Sequence, residues 1–510
     1  MANERVIVVG AGPGGLAAAM LLARAGLEVH VFERRPTVGG RTTQVEAQGF
    51  KFDAGPTFFA CPHVLQAIFG ACGYDLHKEV TLVKLDPMYR FVFADRTELT
   101  CGPHAAEMER RIAALSPRDS GAFLKWVGAN RQKLQRIMPA IRAVCNDPQT
   151  RWSLKHWLAR RAIAKGGTLR QEMRKHFKDP RIQAAFAAPP RYVGLSPFTC
   201  LPVLSVLSYL EYEYDLWHPI GGIGGISTVM ARIAKELGAQ FHLGESVREI
   251  IFDGRRAEGV VTRAGKQLAD AVVVNADFAE FMLRRVPYHV RPTWSTDRLR
   301  DAMYSCSYFV MLLGIQGRYE HLTHHTIYIP RDFERNMEEM EVRHAYSEQP
   351  MFYVQNASLS DDTLAPPGMS TLVVQVPVTH RDPKIHWTHK RDMYRDLMLR
   401  KLELIGIERL QRRIRFEQVI TPREWEKEFH LCNGAAHGLA LCKGQILRDR
   451  PHNRFEDTER LYLVGCNTHP GAFLPGVYES SRLTAKCLLQ DFGADTAWLE
   501  RPAPPSARMI

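Results

Sequence analysis

The stretch VGAGPGG (Val9–Gly15) closes an apolar run, RVIVV (Arg5–Val9), and opens an alanine- and leucine-rich one, GLAAAMLLARAG. Gly10-x-Gly12-x-x-Gly15 is the spacing of a dinucleotide-binding turn. Gly10 lets the chain leave the strand sharply, and Gly12 removes the Cβ that would hold a pyrophosphate off the backbone. Gly14 keeps the same turn lean, and Gly15 lets the helix lie close to the strand. The unpaired N–H groups at the helix start suit the anion. The next run, EVHVFE (Glu28–Glu33), alternates as a strand. This completes the βαβ unit that the glycine spacing needs before it carries meaning. Glu33 stands 18 residues beyond Gly15. A carboxylate there accepts bonds from ribose hydroxyls and repels the extra phosphate of NADP. Arg34 follows it. Alone, these residues leave open whether the dinucleotide carries nicotinamide or flavin.

Two further segments favour FAD. RRPTVGGRT brings Gly39, Gly40 and Arg41 just past the ribose carboxylate, two residues without side chains and one cation for a pyrophosphate or the flavin edge. GFKFDAGPT then supplies a second tight turn through Gly55, Pro56 and Thr57. A nicotinamide domain needs neither, whereas an isoalloxazine ring to be buried does.

The chain has 510 residues, 45% hydrophobic and 24% charged, so it folds as a globular protein of two or three units. Its ten cysteines include no CxxC pair, which argues against a metal site or a disulfide framework and for a reducing compartment. No leader pattern precedes the first strand, and the longest apolar run, CSYFVMLLGI (Cys306–Ile315), is too short to cross a bilayer. The expected location is the cytoplasm, at a membrane surface. The surface is suggested by charge. Of a net charge of +12, almost all arises between Arg131 and Arg181, where fourteen Lys and Arg meet only Asp147, Glu172 and Asp179. Within it, RWSLKHWLARRAIAK sets Trp152, Leu154, Trp157, Leu158 and Ile163 among the cations, a composition for an anionic membrane. No nucleic-acid module accompanies this charge, so nucleic acid is not an expected partner. The oligomeric state is not legible.

Together GAGPGGLAAAMLLARAG, VFER, VGGR, FDAGPT, WHPIGGIGGISTVMARIAKELG, GESVREI and LYLVGCNTHPGAFLPGVYESSRLTAKCLL resemble the phytoene desaturase family, within the flavin amine oxidase-like group. The resemblance runs from Arg5 to about Asp491. It implies an α/β fold: a discontinuous Rossmann-type FAD-binding domain, a mixed-sheet substrate domain and a helical, basic membrane-contacting insertion. FAD-binding parts are then expected over 1–110, 206–285 and 421–495, the insertion over 111–205, the substrate domain over 286–420 and a loose tail over 496–510. Val247 is expected to meet adenine through a strand edge. Gly465 and the helix start at Pro475, Gly476 and Val477 are expected on the pyrimidine side of the flavin, where a helix N-terminus stabilises the reduced anion. His469 is a proton acceptor beside the ring or a residue that holds its turn; Glu479 is a second candidate or a helix-start carboxylate. The implied activity is FAD-dependent desaturation of a C30 or C40 isoprenoid hydrocarbon. Terminal-methyl oxidation and isomerisation are the enzymatic alternatives, and a prenyl-binding carrier is the non-enzymatic one. One departure stands out: family members carry a small residue where this chain has Phe473, and commonly glycine where it has Ser481.

Overall fold

The computed structural model describes residues 4–145, 153–188, 194–380 and 385–500. Its first sheet has five parallel strands: β1 (Arg5–Val9), β2 (Glu28–Glu33), β3 (Gln240–Leu243), β4 (Ala271–Val274) and β5 (Leu461–Leu463), in the order β3-β2-β1-β4-β5. Strands so far apart in sequence make the domain discontinuous. β1 lies at the centre, with Val6 opposite Ala271 and Val29, and its side chains are buried on both faces. That burial explains why β1 reads as an unbroken apolar run rather than an alternating one. Helix α1 (Pro13–Arg24) packs between the helix Ile223–Glu236 and the terminal helix Leu474–Asp491. Its residues Gly14–Ala23 are all buried, which is why small Ala and Gly dominate it.

A second, seven-stranded sheet runs in the order Ile414–Ile420, Ser307–Gln316, Met369–Val378, Phe352–Gln355, His325–Ile329, Tyr89–Phe93 and Glu98–Cys101. Its pairings are antiparallel except where His325–Ile329 runs parallel to Tyr89–Phe93. Tyr89–Phe93 and Glu98–Cys101 fall inside the stretch 1–110 assigned from sequence to the cofactor part, yet they hydrogen-bond into this sheet. Hydrophobic pattern alone does not say which sheet a strand joins.

The chain also builds a helical layer that includes α2 (Leu154–Ile163) and α3 (Ser205–Tyr214). α2 buries Ala159 and Ile163 and exposes Leu154, Trp157 and Leu158, at 69%, 51% and 52%. Ile163, read from sequence as a membrane residue, is therefore core, and Trp152 lies outside the described residues. Much of the basic excess is also spent internally. Arg131 pairs with Glu213 (3.2 Å), Lys133 with Glu172 (2.8 Å), Arg181 with Asp95 (3.0 Å), and Arg170 with Glu334. Among the described residues, Lys155, Arg160, Arg161 and Lys165 form no ion pair. The exposed Arg136, Arg142, Arg174 and Lys178 form none among the described residues either, so the charge left for an outside partner includes α2 and the residues just after it but is not confined to them. No helix among the described residues is long and apolar enough to cross a membrane.

Candidate active site

One cavity runs from the carboxyl end of the parallel sheet to the helical layer. Its first end is made by the β1–α1 turn. Gly10 has φ +96°, and a Cβ there would meet the Asn275 carbonyl oxygen at 2.4 Å. At Gly15 a Cβ would sit 2.0 Å from the Gly10 oxygen, so helix and strand touch only because both residues are glycine. No side chain caps α1, and its N-terminal residues line the cavity, where a phosphate would satisfy their open N–H groups. Glu33, 7% exposed, accepts the N–H of Ala11 (2.9 Å) and of Arg35 (2.8 Å), which fixes its carboxylate against the turn. Gly10, Gly12, Gly14, Glu33, Arg34, Gly40, Arg41, Gly55, Pro56 and Thr57 all line this cavity. Gly15 and Gly39 lie behind it. Gly39 donates its N–H to the Ala11 carbonyl (2.8 Å) and so holds the second loop against the first.

Beyond the turn the lining changes. Arg41 donates to the Ala436 carbonyl (2.7 Å) and reaches the Cys466 sulfur (2.7 Å), bridging two distant loops. The terminal helix, α4 (Leu474–Asp491), starts here with no side-chain cap, so a second set of open N–H groups meets the cavity. Gly465, Pro475 and Val477 line it, whereas Gly476 packs behind, where a Cβ would meet the Gly471 carbonyl at 2.7 Å. The far end is walled by Phe58, Ala60, Leu207, Leu210, Leu216, Phe473 and Leu474.

The flavin-containing amine oxidoreductase family model matches residues 13–489. The chain belongs to that family. It is similar, at 34% identity over 98% of this chain and 99% of the relative, to a 4,4'-diapophytoene desaturase (4,4'-diapolycopene-forming) of Methylomonas sp. It is 35% identical to an all-trans-zeta-carotene desaturase of Myxococcus xanthus, over 96% of this chain and 94% of that one. A solved putrescine oxidase variant shares the fold at TM-score 0.66 and 15% identity, over 96% of this chain and 99% of that one.

FAD is the cofactor of this flavoenzyme, and the cavity fits it. The two uncapped helix starts, the Glu33 carboxylate and the glycine-lined turn would supply a pyrophosphate cradle, a ribose acceptor and a place for the ring edge. Val247 also lines the cavity, but not as a strand edge. It lies outside any strand, and its carbonyl accepts Arg285 Nε (3.1 Å). Arg285, Glu280 and His430, none of them legible as site residues beforehand, close this end with Arg34 and Arg35.

Neither sequence candidate for proton transfer lines the cavity. His469 is 1% exposed and buried against the backbone of Ala140 and Ile141, where burial pushes its pKa down to about 4. Glu479 lies a turn into α4, its carboxylate paired with Arg482 (3.0 Å to Nε). Both side chains therefore stand off the cavity, Glu479 paired with Arg482 and His469 packed against Ala140 and Ile141. His437, unmarked in the sequence, does line the cavity. Burial, aided by Arg41, pushes its pKa down to about 3, so it stays neutral at physiological pH. Among the described residues no cluster of His, Cys, Asp and Glu could hold a metal ion.

Proposed function

We propose that this flavoenzyme desaturates a long isoprenoid hydrocarbon, a C30 or C40 carotenoid precursor, taken from a membrane. The observation that carries the reading is the change in character along one cavity: glycines, open N–H groups and charges at one end, apolar walls from Phe58, Leu207, Leu210, Leu216 and Leu474 at the other. A polyene has no polar groups to anchor, so it is recognised by shape and by exclusion of water. The names of the relatives support the same chemistry. FAD, when bound, supplies the hydride acceptor. The chain's share is to hold two adjacent carbons against the ring and keep the chamber dry.

Delivery is the task of α2. Leu154, Trp157 and Leu158 form an exposed apolar stripe, Arg161 lies over the Trp157 ring, and Lys155 and Lys165 flank it. Such a face inserts into the headgroup region of an anionic bilayer while its cations meet phosphates. The direct test is expression in cells that accumulate phytoene or its C30 counterpart, with product masses and spectra recorded. Loss of two hydrogens per step and a red-shifted polyene are expected. Unchanged precursor in both hosts overturns the reading, and a gain of oxygen replaces it with terminal-methyl oxidation.

A further inference from the structure

The glycines of the first turn share a neighbour that lies far outside the turn in sequence. β4 (Ala271–Val274) runs into Asn275, whose backbone N–H donates to the Val9 carbonyl (2.8 Å) and so extends the pairing with β1. The Asn275 side chain lies against the β1–α1 turn. Its Nδ2 donates to the Gly10 carbonyl (3.2 Å), which also fixes which end of the amide is nitrogen. A Cβ would come within 2.9 Å of Nδ2 at Gly12 and 3.0 Å at Gly15, and within 2.8 Å of Oδ1 at Gly14. Gly465, just past β5, would bring its Cβ within 3.0 Å of the same Oδ1. One amide is thus set among glycines from opposite ends of the chain.

Gly12 is the informative member of this set. At Gly10 and Gly15 a Cβ would strike main-chain oxygens, so the backbone alone demands glycine there. Gly12 has φ −75°, open to any residue, and within 4 Å its Cβ would meet no protein atoms but those of the Asn275 side chain. The amide cannot swing aside without breaking its bond to Gly10, and Gly14, Gly15 and Gly465 hem it in. Asn275 also lines the cavity, beside the turn whose open N–H groups would take the phosphate.

We infer that Asn275 is the positioning residue of the cofactor cradle: its amide locks the β1–α1 turn to the turn at Gly465, and Gly12 lacks a side chain to make room for it. The inference rests on FAD as the cofactor and not on the choice of substrate. An amide suits the place because it is short, planar and uncharged. It satisfies the Gly10 carbonyl with an N–H, where a carboxylate would offer only oxygens and set a negative charge beside the phosphates.

The test is release of FAD from the purified holoenzyme on dilution, followed by free-flavin fluorescence, with the unfolding temperature of each variant measured alongside. No substrate is present, so the outcome is independent of the reaction catalysed. Asn275→Ala removes the amide and is expected to weaken FAD binding about tenfold. Asn275→Asp keeps the shape but turns oxygen toward oxygen and adds charge, for an expected loss of about 10²-fold. Gly12→Ala presses its Cβ on the amide and should weaken binding by about 10- to 10²-fold. In the double variant Gly12→Ala/Asn275→Ala that clash is gone, so it should hold FAD as well as Asn275→Ala alone. A role confined to general stability would not produce that relief. FAD release within threefold of the wild type in both Asn275 variants overturns the assignment. So do single losses that simply multiply in the double variant, because the Gly12 Cβ then obstructs the cofactor and not the amide. If Asn275→Ala does not fold, Asn275→Asp decides: release at the wild-type level overturns the assignment, and the loss given above upholds it.

Discussion

The two ends of the cavity are built on opposite principles. The cofactor end is made of backbone: glycines that admit a ligand, N–H groups at two helix starts and a carboxylate pinned to one turn. The apolar end is made of side chains from α3, from the stretch Phe58–Ala60 and from the start of α4. A backbone site tolerates little change, because a Cβ added at Gly10, Gly15 or Gly55 meets main-chain oxygens that cannot move aside. A side-chain chamber tolerates change but alters its length and shape. The first end therefore sets whether the enzyme is a flavoprotein, and the second sets what it acts on.

The sharpest way to break the contrast is at Gly15. A Cβ there lies 2.0 Å from the Gly10 oxygen, so Gly15→Ala must push α1 off β1 or deform the turn. The expected outcome is loss of bound FAD and a destabilisation of about 3 kcal/mol or more. Flavin absorbance per protein and a thermal unfolding curve measure both. A yellow Gly15→Ala protein with wild-type stability would mean that the backbone end is as forgiving as the other.

Phe473 is the place where the two principles collide. Its φ of +90° and ψ of 155° lie in a region essentially reserved for glycine, yet it carries a large ring into the cavity. A non-glycine residue held there costs about 1–3 kcal/mol. Phe473→Gly and Phe473→Ala both remove the ring, but only glycine removes the strain. The glycine variant should therefore be the more stable of the two by about 1–3 kcal/mol. Both should lengthen the chamber and shift the product mixture, read by mass and absorbance, toward more double bonds or longer chains. Equal stabilities would remove the strain argument, and an unchanged product mixture would place the ring outside the substrate's path.

The same contrast explains what the sequence disclosed. Gly10, Gly12, Gly15, Glu33 and Arg41 are close in the chain, and each answers a local backbone demand, so their spacing is itself a signal. Phe473 was visible as a departure, though its backbone conformation was not. Glu211 carried no such signal: it stands two residues from Glu213 in SYLEYEY, and the docking of α3 brings Glu211 to the cavity wall while Glu213 meets Arg131. His469 and Glu479 misled for the converse reason. Pro475 and Val477 of PGV do line the cavity, but the helix turn carries Glu479 toward Arg482, and His469, with the rest of THPG, lies off the cavity, packed against Ala140 and Ile141. The two sheets were legible as strands but not as partners, since pairing depends on residues hundreds of positions apart.

The smallest expected effect lies outside the cavity altogether. From sequence, the whole basic stretch seemed available to a membrane. The structure removes Arg131, Lys133, Arg170 and Arg181 from that set by pairing them with carboxylates. Each remaining cation near an anionic surface is worth about 1 kcal/mol, and the term is screened by salt. Replacing Lys155, Arg160, Arg161 and Lys165 together by Gln should therefore weaken binding to anionic vesicles strongly at low salt and little at high salt. Trp157→Ala should weaken it at both, because its contribution is apolar. Neither change touches the cavity, so turnover of precursor dispersed in detergent should stay at the wild-type rate. A quadruple variant that still sediments with vesicles at low salt would show that α2 is not the membrane face, whatever its composition.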